Sequence, residues 1–214
     1  MRNCAIIHPL HLELETALPA ADDQHGHNGG IIHFGPDGML YIFVGENEVA
    51  SDAQDLTSLR GKILRVNPAN GSAPSDNPFF SNLNANAQKV YSWGHRNSFG
   101  FTFHPHTNDL WESENGENDC DQINRIVRGG NYGWPNAPCG GNPLYIDPII
   151  TFTPTIAPTG IVAFREDSIY PTQFHNDLLF VDFKAGNLHH IKLALPGLTD
   201  LLSHTIACNC GHGG

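Results

Sequence analysis

Phe34-Gly35-Pro36-Asp37-Gly38-Met39-Leu40-Tyr41 reads as a tight turn between two strands. Proline presets φ early in such a turn, and glycine accepts positive φ later in it. Phe103-His104-Pro105-His106-Thr107-Asn108-Asp109-Leu110-Trp111 repeats the order with one extra turn residue, 69 residues further on. Two hairpins of one design at this spacing fit β-propeller blades carrying inserted functional loops. A sandwich or barrel is the competing arrangement.

Outward from these hairpins, short alternating or apolar runs recur. They are Met39 to Val44, Lys62 to Asn67, Lys89 to Trp93, Phe99 to Phe103, Ile161 to Phe164, Leu178 to Phe183 and Leu188 to Leu193. Each is bounded by Gly, Pro, Asn or Asp, so the expected class is all-β. With 22 Gly and 15 Pro in 214 residues, long helices are excluded. Asp52 to Phe80 reads as loop around one strand, and Asn115 to Pro148 as almost strandless. A loop that long in a compact domain usually carries function.

The formal net charge of −11 would repel a phosphate backbone, so no nucleic acid partner is expected. No apolar stretch approaches the roughly 20 residues of a membrane span. Met1-Arg2 and Ala5-Ile6-Ile7 hint at a signal peptide, but His8, Pro9, His11 and Glu13 interrupt its apolar region. The five cysteines, Cys4, Cys120, Cys139, Cys208 and Cys210, cannot all pair within the chain. Cys120 and Cys139 flank a Gly/Asn-rich loop, and either pair in an oxidising compartment or stay as thiols.

His27 lies in His25-Gly26-His27-Asn28-Gly29-Gly30, where small neighbours let a ligand approach the imidazole. It serves as a general base near neutral pH or simply fills a turn. Metal ligation with His25 lacks an evident third ligand. Arg96 and Asn97 offer several donors to a carboxylate or quinone oxygen, unless Arg96 pairs with a structural Asp. The loop from Glu114 to Asp121 is acidic and oxygen-rich. It suits a hard cation such as Ca²⁺ without EF-hand spacing, or is simply solvated. Lys184 ends an apolar run, and anchors an anion, reaches for water or pairs with Asp182. The Cys208-Asn209-Cys210-Gly211-His212 stretch, with His204 nearby, matches no standard zinc or haem spacing.

Taken in order, these pieces resemble the soluble PQQ-dependent sugar dehydrogenases, the glucose/sorbosone dehydrogenase family. The likeness begins at His27-Asn28-Gly29-Gly30 and the first hairpin, then passes through Gly61 to Asn67 and Asp76-Asn77-Pro78-Phe79. It continues through Gly94-His95-Arg96-Asn97, Glu114-Asn115-Gly116, Asp121-Gln122-Ile123-Asn124 and Gly129 to Pro135. It ends with Pro154-Thr155-Ile156-Ala157-Pro158 and Phe183-Lys184-Ala185-Gly186, covering roughly residues 25 to 193. The resemblance implies a six-bladed β-propeller of the quinoprotein dehydrogenase type, with PQQ and Ca²⁺ on one face. It implies an oxidoreductase that removes hydride from C1 of an aldose and passes electrons to an external acceptor, in the periplasm or outside the cell.

The same resemblance implies residue roles. His27 would be the base, Arg96 would stabilise charge on the quinone, and Asp121 would sit close to the sugar. Arg96, Asn97, Thr155 and Lys184 would hold PQQ, and the carbonyls of Gly116 and Glu117 would ligate Ca²⁺. Glu117 stands where the family usually has Pro, which a backbone ligand survives. Gln122 replaces the usual Glu, which puts a second Ca²⁺ site in doubt.

The expected organisation is an N-terminal segment 1–24, partial blade or disordered, a partial propeller 25–197 and a C-terminal tail 198–214. Three to four blades of the six are expected. An open ring exposes sheet edges, so weak PQQ binding or a need for a partner or self-association is expected. The alternative function is that of related hedgehog-interacting proteins: a catalytically inactive propeller piece that binds proteins or carbohydrates.

Overall fold

The computed structural model describes residues 26–166 and 169–211. The N-terminal segment, Cys4, His25 and His212 lie outside them. Among the described residues, twelve strands form three four-stranded sheets, every neighbouring pair antiparallel. The first sheet runs β1 (Gly29–Phe34), β2 (Leu40–Val44), β3 (Lys62–Val66), β4 (Val90–Trp93). The second runs β5 (Ser98–Phe103), β6 (Leu110–Glu114), β7 (Asp121–Ile126), β8 (Ile150–Phe152). The third runs β9 (Pro158–Ala163), β10 (Leu178–Asp182), β11 (Asn187–Leu193), β12 (Leu201–Asn209). Each sheet is a meander in chain order, and β5 lies against both β1 and β9. These are three consecutive blades of a propeller, with their first strands innermost.

The two hairpins quoted above join the first and second strands of successive blades. In the first, Gly38 takes φ 75° and Asp37 Oδ1 accepts from Met39 N at 3.0 Å. In the second, Asn108 takes φ 63° and His104 N donates to Asp109 O at 2.8 Å. The extra residue lengthens the turn without changing what it connects.

The cores lie between blades. Tyr41, Phe43 and Ile63 of the first blade pack with Phe101, Leu110 and Ile126 of the second. Trp111 and Ile123 of the second pack with Ile161, Leu178, Phe180 and Ile191 of the third. Neighbouring residues on a strand face opposite sides, so Leu110 and Trp111 serve different interfaces. The far side of the first blade (Ile42, Val44, Leu64, Val66) is closed by Leu56, Leu59 and Phe79 from the loops before and after β3. Buried Lys62 holds the first of these loops, its Nζ donating to Asp52 O at 2.7 Å and Arg60 O at 2.7 Å.

The structure corrects two readings. Asn115 to Pro148 is not strandless: β7 runs through it, and is buried along most of its length. The segment expected as a tail carries β12, which pairs with β11 from Asn187↔Asn209 to Leu193↔Leu201. Its apolar residues do not alternate clearly with polar ones, because it is an outermost strand with most residues exposed. Cys120 and Cys139 are joined in a disulfide.

Candidate active site

The residues singled out from the sequence hang on loops at one end of the blades. His27 precedes β1. Glu46 follows β2, Arg96 and Asn97 precede β5, and Gly116 and Glu117 lie between β6 and β7. Thr155 precedes β9, and Lys184 lies between β10 and β11.

A continuous chain of hydrogen bonds links His27, Glu46, Arg96, Gly116, Thr155 and Lys184 across all three blades. His27 Nδ1 meets a carboxylate oxygen of Glu46, which is only 2% exposed. Glu46 N donates to Arg96 O at 2.9 Å, and Arg96 N donates to the Glu114 carboxylate. Arg96 Nη1 donates to Gly116 O at 2.8 Å and Asn115 O at 3.1 Å. Gly116 N donates to Asp121 Oδ1 at 2.9 Å. Asp121 Oδ2 accepts from Ile156 N at 2.6 Å and Ala157 N at 2.7 Å. Lys184 N donates to Ile156 O at 3.2 Å, and Lys184 Nζ to Thr155 O at 2.9 Å and to its hydroxyl.

Two points along this chain are locally constrained. His27 adopts φ 57°, a left-handed conformation that costs a non-glycine residue roughly 1–2 kcal/mol. Asn47 N holds it there by donating to His27 O at 3.1 Å. Gly45 must be glycine, since a Cβ there would lie 1.9 Å from His27 O. Gly116 is similarly tied: its Cβ would lie 1.7 Å from Cys120 O. A carboxylate on Nδ1 fixes the imidazole and leaves Nε2 as the basic nitrogen.

The alternative partners proposed for the two cations are not those found. Arg96 bonds backbone carbonyls and lies over the Trp134 ring, 5.2 Å from its centroid. Lys184 bonds Thr155 rather than Asp182, whose carboxylate is taken by Ala185 N, Gly186 N and His189. Asn97 is buried and its carbonyl accepts from Asn115 N at 2.9 Å. Asp121 is 1% exposed and both its oxygens are bonded to backbone N–H groups, so it staples the Gly116 loop to the Thr155–Ala157 loop. Gln122 is a buried amide that donates to Pro138 O.

Three residues of the site carried no assigned role in the sequence reading. Glu46 partners His27, Glu114 receives Arg96 N, and Trp134 lies under the guanidinium. An acid directly after a strand that pairs with the His27 segment was the available signal for Glu46.

Behind Arg96 sits a buried ionic cluster. His95 Nδ1 lies 3.2 Å from Glu112 Oε2 and 3.5 Å from Glu114 Oε2. Its ring stacks on Tyr132 at 4.8 Å and its Nε2 meets Ser92 Oγ at 2.8 Å. Burial opposes the charged imidazole, but the two carboxylates outweigh it and push His95 up to about 9. An imidazolium thus supplies the positive charge the carboxylates need. Below the unfolded value near 6.5 this contribution is fully present, and it is lost as pH rises toward 9. Across that window the His95 contribution to the unfolding free energy falls with pH, against the rise contributed by Lys62, whose ammonium burial lowers to about 7. In denaturant melts at a series of pH values, His95→Gln should remove the falling component, so that stability rises more steeply with pH than in the native chain; an unchanged pH dependence would assign the charge elsewhere.

The donor set fits an anionic, flat, oxygen-rich ligand and a hard cation. Arg96 Nε and Trp134 Nε1 are buried without a hydrogen-bond partner. Lys184, exposed, and Thr155, half-buried, stand at the other side of the Asp121 staple. Carbonyl oxygens at Asn115 and Gly116 suit a hard cation, and the second lone pair of Gly116 O is compatible with its bond to Arg96.

Residues 13–200 match the family model described as Glucose / Sorbosone dehydrogenase. The chain is 42% identical to aldose sugar dehydrogenase YliI of Escherichia coli, over 54% of this chain and 31% of that protein. It is 37% identical to quinoprotein glucose dehydrogenase B of Acinetobacter calcoaceticus, over 58% of this chain and 28% of that one. Among solved structures, the PQQ-bound aldose sugar dehydrogenase of Streptomyces coelicolor superposes with a TM-score of 0.70 at 34% identity. That match covers 85% of this chain and 49% of the other, so the chain spans half or less of these relatives. The sequence motifs, the three blades and these matches agree: the chain belongs to the glucose/sorbosone dehydrogenase family.

Proposed function

We propose that this chain carries the catalytic face of a PQQ-dependent aldose dehydrogenase. The observation that carries the reading is the His27–Glu46 pair, joined through Arg96, Gly116 and Asp121 to Lys184 on one face of three blades. His27 Nε2 takes the proton of the C1 hydroxyl, while Glu46 holds the ring and balances the charge that forms. Arg96, steadied by Trp134, would stabilise negative charge on the quinone. Asn97, Thr155 and Lys184 would hold the rim and carboxylates of the cofactor, and the carbonyls of Gly116 and Glu117 would hold Ca²⁺. When bound, PQQ supplies the two-electron acceptor for hydride from C1, and Ca²⁺ the Lewis acid beside it. Asp121 acts as a positioning residue, keeping the two loops in register. Electrons leave to an external acceptor, and the periplasm or extracellular space is the expected location.

The test is reconstitution. Adding PQQ and CaCl₂ to the chain is expected to give aldose-dependent reduction of a dye, absent when either is withheld. Cofactor binding without dye reduction would favour the inactive, binding-module reading; neither binding nor reduction would remove this proposal.

A further inference from the structure

The thiols of Cys208 and Cys210 are exposed, and their Sγ atoms lie 3.1 Å apart. Their backbones are tied down. Cys208 pairs with Leu188 in the β11–β12 ladder, and Cys210 N donates to Gly186 O at 2.9 Å. Between them Asn209 accepts from Gly211 N at 3.0 Å, which closes the turn after the strand. The fold thus holds two sulfurs in contact before any bond joins them. The hydrogen bond between them raises the Cys208 thiol above its ordinary value.

We propose that Cys208 and Cys210 form a redox-active dithiol that closes to an intramolecular disulfide by exchange with a small external disulfide such as glutathione disulfide. One thiolate of the pair attacks one sulfur of glutathione disulfide, a mixed disulfide forms, and one glutathione thiolate leaves. The other cysteine's thiolate then attacks the protein sulfur of the mixed disulfide and expels the second glutathione thiolate. The two protons given up by the protein thiols go to the two leaving thiolates. The protein dithiol is oxidised by two electrons, and glutathione disulfide is reduced to two glutathione molecules. The closed pair sits beside the turn that carries Lys184, because Cys210 holds Gly186 and Gly186 N donates to Asp182 Oδ1 at 3.1 Å. The inference stands on the thiol geometry and needs neither PQQ nor turnover.

The whole chain is equilibrated in glutathione redox buffers, acid-quenched, alkylated and cut with trypsin. The peptide following Lys192 contains both thiols and no other cysteine. It is expected to be two hydrogens lighter after oxidation, with no alkylated cysteine. The equilibrium constant for closure should be about tenfold larger in the native chain than in the same chain in denaturant, because the fold pre-aligns the pair. Glutathione retained on either cysteine as the main oxidised product would overturn the proposal. So would covalent dimers through this peptide, or equal constants in native and denatured chains.

Discussion

Replacing His27 by alanine is expected to lower dye-linked aldose oxidation about a thousandfold, within the range a positioned general base contributes. Nε2 is the only part of the ring left to face a substrate, since Nδ1 is committed to Glu46. The loss should fall on kcat, with PQQ affinity measured by fluorescence titration unchanged, because His27 is assigned to the sugar's proton and not to the cofactor. Alanine keeps the backbone bond from Asn47 N, though it tolerates φ 57° less readily than histidine. Circular dichroism therefore accompanies the kinetics. Glu46→Gln should lower kcat about a hundredfold with KM little changed, since the amide no longer balances an imidazolium. Activity of His27→Ala within a few-fold of the native chain would take the base away from this position.

Asp121→Ala should be the most damaging single change to stability among the site residues. One side chain accepts three backbone N–H bonds, and its removal leaves half-buried donors at Gly116, Ile156 and Ala157 without that acceptor. Hydrogen bonds to a charged acceptor and the cost of half-buried donors losing it together suggest roughly 4 kcal/mol. For a chain of this size that corresponds to a fall of about 10 °C in thermal midpoint. Ala157 sits at φ 55°, a strained conformation held in part by this bond, so its loop should relax when the carboxylate is gone. Asp121→Asn keeps one acceptor oxygen and should lose about half as much. Calorimetry of the three proteins decides the matter; a midpoint for Asp121→Ala equal to the native one would mean that these loops are held by other contacts.

Much of the fold was legible because it is written locally. The Pro36-Asp37-Gly38 and Pro105 to Asp109 turns state their own geometry, and the strands beside them are short apolar runs. Strand β7 was missed because Asp121-Gln122-Ile123-Asn124-Arg125-Ile126 looks like polar loop. Its polar residues are buried by groups far away in sequence: Asp121 by Ile156 and Ala157, Asn124 by Glu114, Gln122 by Pro138. No window of sequence shows that satisfaction. Glu46 was overlooked for the same reason, lying 19 residues from His27. The resemblance named the residues proposed to meet a ligand, while those that hold them in place emerged only when the blades were laid side by side.

The middle blade shares an apolar seam with each neighbour, through Leu110 on one side and Trp111 on the other. The far side of the third blade instead carries half-exposed Val162 and Val181. Local opening should therefore begin at that flank and reach the centre last. Arg96, Gly116 and Asp121 hang from the part of the molecule expected to open last, whereas Lys184 rides on the flank expected to open first. A guest held between them would meet one fixed jaw and one that gives way.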